Sequence, residues 1–369
     1  MPEKFHTLYL ETTRRCNLNC PYCSSGSNKK GLKDTFTFED IKNKILLPAK
    51  ALGTKFIDLS GGEFLVREDA YDIVELANSL DFKISIVSNG LLLTEKNLDR
   101  LQNILGSNLL VSLGINCFDE TNEETRQVPI SYTLDLIERL KKRGIAINIC
   151  VTMGSFNSET FGDTISRIKD LEVAFNRIPY TPRNTDERSL MFDKKILKEK
   201  LHPVLNSSHL GYVSFAPFFL NPEDYFAKSS QKNDEEGIPL NPSVGCWVGS
   251  FYGINPEGEV APCPLLGDNL SGGNVLKTPL HDILYKSELF VKITNRNNLK
   301  GKCGKCKYKF TCGGCRVMAY YMTGDVFAED PTCFIEELSE DELMTLEKQT
   351  KSNFRKYYMM SKFGGLVNE

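Results

Sequence analysis

Ten of the twelve cysteines in this chain fall into two groups, and no other feature constrains the fold as tightly. The first group reads Cys16-Asn-Leu-Asn-Cys20-Pro-Tyr-Cys23. The second comprises Cys246, Cys263, Cys303, Cys306, Cys312, Cys315 and Cys333. Three thiolates on one short loop can hold three corners of a four-iron cluster, whose full complement is four cysteines. The remaining iron is then open, and an open metal position is where chemistry takes place. A zinc knuckle would need a fourth Cys or His close by, and the nearest histidine along the chain, His6, falls at the start of a predicted strand.

The chain has 369 residues, enough for one large domain or two ordinary ones. A formal net charge of -3 speaks against a nucleic-acid partner. The N-terminus lacks the apolar run and cleavage site of a secretory signal, and no stretch is apolar for long enough to span a membrane. A cytoplasmic location without membrane attachment is expected. In a reducing compartment clustered cysteines are metal ligands before they are disulfides.

Strand-like and helix-like segments alternate through the first 220 residues. Strands are predicted at 7–11, 56–59, 84–87, 110–115, 145–151, 173–178 and 212–215. Thr37, followed by Glu39 and Asp40, marks one helix start, and Thr94, followed by Glu95, marks another. Leu134, Ile137 and Leu140 have helical spacing, and Gly144 supplies the stop. Pro48 is expected to break the first helical pattern. Such βα repeats build a parallel sheet with helices outside, and reactive groups then sit at the C-terminal ends of the strands. Cys16, Cys20 and Cys23 follow the first strand, Ser60-Gly61-Gly62-Glu63 the second, Ser88-Asn89-Gly90 the third and Asn116-Cys117 the fourth. The expected layout is a core domain over 1–220, a polar linker or lid over 221–245, a cysteine-rich module over 246–338 and a C-terminal helical segment over 339–369. The module should open with a hairpin turning at Asn255-Pro256-Glu257-Gly258.

The three-then-two spacing of Cys16, Cys20 and Cys23, with Tyr22 before the last, resembles the cluster motif of the radical S-adenosylmethionine (SAM) enzymes. The resemblance implies a [4Fe-4S] cluster on these three residues that binds SAM and cleaves it reductively to a 5′-deoxyadenosyl radical. Gly61-Gly62-Glu63 resembles the family's SAM-binding GGE motif. Glycines let a backbone approach a ligand closely, and a carboxylate pairs with an ammonium; a plain glycine turn is the alternative. The same resemblance implies SAM contacts at Ser88 and Asn89, at Ser112 on the next strand and at Arg126. At Leu113-Gly114-Ile115 many relatives carry an acidic residue instead. The alternatives for Ser112 and Arg126 are a buried strand serine and an exposed arginine at a helix end.

The later cysteines run Cys246-x11-Gly258-x4-Cys263, then Cys303-x2-Cys306-x5-Cys312-x2-Cys315, then Cys333. With Asn274-Val275, Gly313-Gly314-Cys315-Arg316, Gly324-Asp325 and Asp330-Pro331-Thr332-Cys333, this is similar to the SPASM module of radical SAM maturases. It implies an outer cluster on Cys303, Cys306, Cys312 and Cys333 and an inner one on Cys246, Cys263 and Cys315. Two residues rather than the usual three separate Cys312 from Cys315. The usual sources of a fourth inner thiolate are empty, with Val317 at one of them. The inner site is therefore expected to be open, Cys117 being the alternative fourth ligand. Pro264 stands where the branch that makes formylglycine has an acidic residue, which argues against that reaction. Cys117 and Cys150 otherwise read as core filler.

These resemblances imply an α/β fold, a partial (β/α)6-type radical SAM barrel with a C-terminal SPASM module. Three [4Fe-4S] clusters, one SAM-binding and two auxiliary, are expected, with SAM itself. The expected activity is radical modification of an unactivated carbon in a ribosomal peptide or protein. Tetrapyrrole (haem-type) side-chain tailoring is the second reading, and a zinc-stabilised binding module the third. The expected partners are a peptide or small-molecule substrate and a flavodoxin or ferredoxin-type electron donor. Only fifteen residues precede Cys16, so peptide recognition is expected to fall to a separate protein or to the C-terminal region.

Overall fold

A computed structural model describes residues 5–27, 32–182, 185–207, 216–226 and 245–362. The strand expected at 212–215 and most of the predicted linker lie outside the described residues. The chain divides into two compact units, one of residues 1–150 with 249–292 and the other of residues 151–248 with 293–369.

The first unit is built on strands β1 (Thr7–Glu11), β2 (Phe56–Ser60), β3 (Lys83–Ser88), β4 (Leu109–Gly114) and β5 (Ala146–Met153), whose last residues cross into the second unit. Strand β6 (Ala174–Pro179) belongs to the second unit, and β7 (Phe251–Ile254) and β8 (Val260–Ala261) to the first. The first unit's strands run in the order β5-β4-β3-β2-β1-β7-β8. All neighbours are parallel except β7 and β8, which form the expected antiparallel hairpin. Because β7 pairs with β1, from Thr7 opposite Phe251 to Leu10 opposite Ile254, the first hairpin of the cysteine-rich module extends the core sheet. The compact units therefore cut the chain differently from the sequence modules.

Helices Ala70–Ser79, Glu95–Leu105 and Ile130–Lys142 connect successive parallel strands. Thr94 caps the second of these through the amide of Asn97. Between β1 and β2 the chain is helical from Phe38 to Ala51, opened by a Thr37–Asp40 capping box. Pro48 does not break it, contrary to expectation. The stretch Ile41–Leu46 is π-helical, and the amide of Leu47 reaches back to Lys42 O. This wider turn re-frames the hydrogen-bond ladder just where a proline ring would otherwise clash.

The two faces of the sheet differ in chemistry. Leu8, Leu10, Ile57, Leu59, Ile84, Ile86, Val111, Leu113 and Ile149 are almost fully buried, the alternate-residue pattern of a face covered by helices. The other face is polar. Tyr9 Oη lies 2.8 Å from Ser60 Oγ, Ser85 Oγ lies 2.9 Å from Ser112 Oγ, and Asn148 donates to Ser112 at 3.3 Å. The Asp58 carboxyl bonds to Ser85, and desolvation lifts its pKa from 3.8 to about 6. Closed βα barrels usually fill this face with branched aliphatic side chains.

The second unit has an aromatic core. The ring of Phe219 meets His202 at 5.7 Å and Tyr308 at 5.6 Å, and His202 meets Phe334 at 5.0 Å. Burial lowers the His202 pKa to about 4, so the ring is neutral. Phe218, Leu220, Tyr225 and Phe354 form a cluster against Cys312. The expected C-terminal helix is present as Glu340–Lys362, and it bonds to the cysteine-rich region through Lys307–Glu347 at 2.6 Å. Among the described residues no helix is long and apolar enough to cross a membrane.

A raised carboxyl pKa means that the folded state holds its proton longer, so Asp58 costs stability as pH rises from 3.8 through about 6. Asp58→Asn should leave the stability of the metal-free protein unchanged below about pH 4 and raise it by about 1–3 kcal/mol at pH 8. Denaturant unfolding at the two pH values checks this, and equal effects at both would show that the carboxyl is solvated.

Candidate active site and iron–sulfur centres

The loop after β1 carries Cys16, Cys20 and Cys23, and the loop after β2 seats it. Gly62 N–H donates to Thr13 O at 2.7 Å and Glu63 N–H to Arg15 O at 2.9 Å. A Cβ at Gly61 would lie 2.6 Å from Thr13 O, and one at Gly62 would lie 2.4 Å from Arg15 O. Gly61 also has φ +154, where a side chain is strained. The glycine pair therefore has a task inside the protein, the close approach of the cysteine loop.

Three arginines clamp that loop. Arg14 donates from Nη2 to Glu257 at 2.6 Å and to Asp268 at 2.5 Å, tying the loop to the β7–β8 hairpin and the segment after it. Arg15 pairs with Asp34 at 2.6 Å, and buried Arg67 donates to Thr12 O at 2.8 Å. Glu11 has Arg14 at 3.9 Å, yet burial raises its pKa to about 8. None of these ties carries a motif; the adjacent Arg14-Arg15 just before Cys16 is the only sequence sign of them.

Within the loop, Cys23 N–H turns back to Cys20 O at 3.2 Å. The Cys16 sulfur accepts from Leu18 N–H at 3.4 Å and faces the Asn89 amide at 3.9 Å. Cys20 Sγ lies 3.2 Å from Arg126 O, and Cys23 Sγ lies 3.2 Å from Ser25 Oγ. Burial first, and then the charges of Glu63, Cys20 and Cys23, push the Cys16 thiol up to about 11. Cys20 is pushed up by burial too. These half-buried thiols resist ionising side by side, and amides are aimed at sulfur, so their thiolate forms are favoured only beside a cation. They fit an iron–sulfur cluster.

Glu63 is fully buried beside this loop. It accepts from Ser88 Oγ at 2.9 Å and from Asn89 N–H at 2.8 Å, and desolvation lifts its pKa to about 7. Asn89 also donates to Asn17 Oδ1 at 2.8 Å. Cys16, Glu63, Ser88 and Asn89 thus form one connected network. Arg126 lies against Gly114, where a Cβ would fall 1.7 Å from its guanidinium, and donates to Tyr22 Oη at 2.9 Å. Asn116 donates to the same hydroxyl at 2.8 Å, and Gln127 accepts from Asn19 N–H at 2.9 Å. Glycine at position 114 is what lets Arg126 hold the aromatic of the cysteine loop. Among the described residues Ser112 bonds within the strand ladder, to Ser85 and Asn148, apart from that network. Cys117 is fully buried and bonded to Asp119, which caps the helix Glu120–Arg126. That is the core-filler arrangement.

In the second unit Cys303, Cys306, Cys312 and Cys333 form a mutually repelling set. Burial and then Cys333 raise Cys312, with Cys303 also contributing. Burial, Asp330 and Cys303 raise Cys333 to about 12. Cys303 is raised by burial and also feels Cys306. Backbone amides point at these sulfurs: Asp330 N–H to Cys303 at 3.3 Å, and Phe218 and Gly314 N–H to Cys312 at 3.3 and 3.4 Å. This donor set also fits a cluster. Cys246 is tied to it through its own N–H and Cys312 O at 2.8 Å, and Cys315 through Asp330 at 2.7 Å. Cys263 belongs to the first unit, at the end of the hairpin.

Comparison with known proteins agrees with this geometry. Residues 10–168 match the radical SAM superfamily, and residues 246–307 match the SPASM iron–sulfur cluster-binding domain. An AdoMet-dependent heme synthase of Methanosarcina barkeri is 31% identical over 340 residues, covering 88% of this chain and 94% of that protein. A PqqA peptide cyclase of Xanthomonas euvesicatoria is 24% identical over 356 residues, covering 94% of this chain and 92% of its own length. Streptococcus suis SuiB bound to its precursor peptide SuiA has a similar fold, with a TM-score of 0.64 at 17% identity over 90% of this chain and 76% of SuiB.

Gly62→Ala should destabilise the metal-free protein by about 1–3 kcal/mol, because the added methyl overlaps Arg15 O. Gly162→Ala, where the new Cβ meets only Val204 at 3.7 Å, is the control and should be neutral or better. Equal melting temperatures for Gly62→Ala and the parent would mean that the cysteine loop is not seated as described.

Proposed function

Since the chain belongs to the radical SAM superfamily and carries its SPASM iron–sulfur module, we propose that it is an oxidoreductase that takes a hydrogen atom from an unactivated carbon of a ribosomal peptide or protein. The observation that carries the radical chemistry is the network joining Cys16 to Glu63, Ser88 and Asn89 at the C-terminal ends of β1, β2 and β3. Cys16, Cys20 and Cys23 are assigned the SAM-binding [4Fe-4S] cluster. Cys303, Cys306, Cys312 and Cys333 are assigned one auxiliary cluster, and Cys246, Cys263 and Cys315 a second, for three in all. What the bound cluster and SAM supply is a 5′-deoxyadenosyl radical. The residues of the chain bind and orient: amides at the Cys16 sulfur, Glu63 with the backbone of Gly61 and Gly62 toward the SAM amino group, Ser88 and Asn89 toward its ribose. Ser112 and Arg126 stand apart from these, because Ser112 bonds to Ser85 and Asn148 and Arg126 to Tyr22, outside the network that joins Cys16 to Glu63, Ser88 and Asn89. A flavodoxin or ferredoxin-type protein would deliver the electron in a cytoplasmic setting, and a separate protein would recognise a peptide substrate.

For the substrate, the polar sheet face is the guide. Glu11 and Asp58 are carboxylates on or beside it, and among the described residues Asp58 has no ion-pair partner. Such a face suits amide or ammonium donors better than a polycarboxylate. The peptide cyclase relatives and the fold shared with SuiB are consistent with a peptide. Tetrapyrrole side-chain tailoring is the second reading, favoured by the 31% identity across 94% of a heme synthase. Identity at that level carries the chemistry of a site more securely than its substrate.

Changing Cys16, Cys20 and Cys23 together to Ala should abolish 5′-deoxyadenosine formation under dithionite while part of the iron is retained. SAM cleavage that survives in the triple variant would sink the assignment. Glu63→Gln should weaken SAM binding roughly ten- to hundredfold, the cost of a charge-assisted hydrogen bond. For substrate choice, the reconstituted enzyme is incubated with SAM, dithionite and either a candidate precursor peptide or a carboxylate-bearing iron tetrapyrrole. Mass change in the tetrapyrrole with none in the peptide would overturn the peptide reading.

A further inference from the structure

Two guanidinium groups are buried in the cysteine-rich part of the second unit. Arg296 is 5% exposed and Arg316 2%. Among the described residues neither has a carboxylate within ion-pair distance. Arg296 donates to the carbonyls of Lys309, Phe310 and Cys246 at 3.3, 2.6 and 2.5 Å. Arg316 donates to those of Gly314, Val326 and Ala328 at 3.2, 3.0 and 2.6 Å. Carbonyl oxygens satisfy N–H groups but bring no net charge, so a buried cation held only by them remains costly. Asp330 is the fully buried carboxylate of this region, and its oxygens are taken by the Cys315 amide and by the amide and hydroxyl of Thr332. Asp325 also feels the charge of Arg316, but it is partly exposed and paired with Lys300, so inside the buried region two guanidinium groups face the single carboxyl of Asp330.

The groups that do approach are thiols. Arg316 Nη2 lies 3.8 Å from Cys303 Sγ. Arg296 lies close enough to Cys246 and Cys312 to feel their charge. The Gly313-Gly314 pair makes this approach feasible. A Cβ at Gly313 would lie 2.9 Å from the Arg296 guanidinium carbon. One at Gly314 would lie 2.5 Å from Arg316 Nη2 and 2.9 Å from Cys303 Sγ. Both glycines also have positive φ, +72 and +60. Any other residue pair here would push the cations away from the sulfurs.

We propose that Arg296 and Arg316 are built-in counter-charges of the cluster on Cys303, Cys306, Cys312 and Cys333, and that Arg316 raises its reduction potential. This rests on the reading that those four thiols bind a cluster. Four thiolates give such a centre net negative charge, and taking up one electron adds another. No bond forms or breaks in that step; one electron enters from the reductant, and a fixed cation beside Cys303 favours the reduced state. Arg316 is on this view a positioning and tuning residue for electron acceptance, not a ligand.

The test uses the full chain in the Cys16/Cys20/Cys23→Ala background, so that only auxiliary clusters report. Mediated redox titration with dithionite, followed by EPR, gives the potentials, and iron analysis gives the loading. Arg316→Gln should lower the reduction equilibrium constant of one cluster about tenfold or more, 59 mV for a one-electron couple. Arg316→Lys, which keeps the charge and loses the planar fork, should stay within about threefold of the parent. Full iron with an unmoved potential in the Gln variant overturns the proposal. If the Gln variant holds no cluster, the Lys variant decides: loading with Lys supports the counter-charge, and failure with Lys too makes the role structural and overturns it. A parent background with no cluster at all would sink the cluster reading, and this proposal with it.

Discussion

The contact on which the site depends is backbone against backbone. Gly62 and Glu63 donate their amides to Thr13 and Arg15 of the cysteine loop, at distances that leave no room for a Cβ at positions 61 and 62. The cysteine loop has no helix or strand of its own to hold it. Its backbone is instead fixed from below by the β2 loop, from the side by Arg67 on Thr12, and from the β7–β8 side by Arg14 on Glu257 and Asp268. The same residue run that places Gly61 and Gly62 places Glu63, which in turn gathers Ser88 and Asn89. One short stretch after β2 thus orders the ends of three strands.

The second unit solves the same problem with other means. Its cysteine-rich segment has few aliphatic residues, and its order comes from an aromatic group around Phe219, from the helix Glu340–Lys362, and from buried arginines that collect carbonyls. Burying thiols together raises the cost of ionising each of them. A cluster held by these thiols would relieve that cost, and its binding would then be coupled to folding in this region. Positive charge placed beside sulfur in advance lowers the cost further.

The βα order, the capping residues Thr37 and Thr94, the hairpin at 255–258 and the C-terminal helix were all legible in the chain, because each depends on local periodicity or turn chemistry. Pro48 misled, since a π-helical turn re-frames the ladder around it and no sequence period reports that. The strand pairing of β7 with β1 was not legible either, because a parallel pairing between residues about 240 apart leaves no local mark. Among site residues, the cysteines and Glu63 stood out by spacing. Arg14, Arg67, Gln127 and Arg296 did not, because an arginine that grips a carbonyl or a distant carboxylate obeys no period.

The sequence by itself determined the chemistry on offer: how many thiols there are, how they are spaced, and which strand ends they follow. Those are properties of covalent order, and short loops convert them directly into proximity. Only the tertiary structure decided which groups neutralise which charges. It seated Gly61 and Gly62 against protein backbone, tied Ser112 into a strand ladder away from the cysteine loop, buried Cys117 in the core, and set Arg126 against Gly114 to hold Tyr22. Burial and partner choice are set by residues that meet across the fold. Desolvation and Coulomb energies depend on those distances in space, which separation along the chain does not encode.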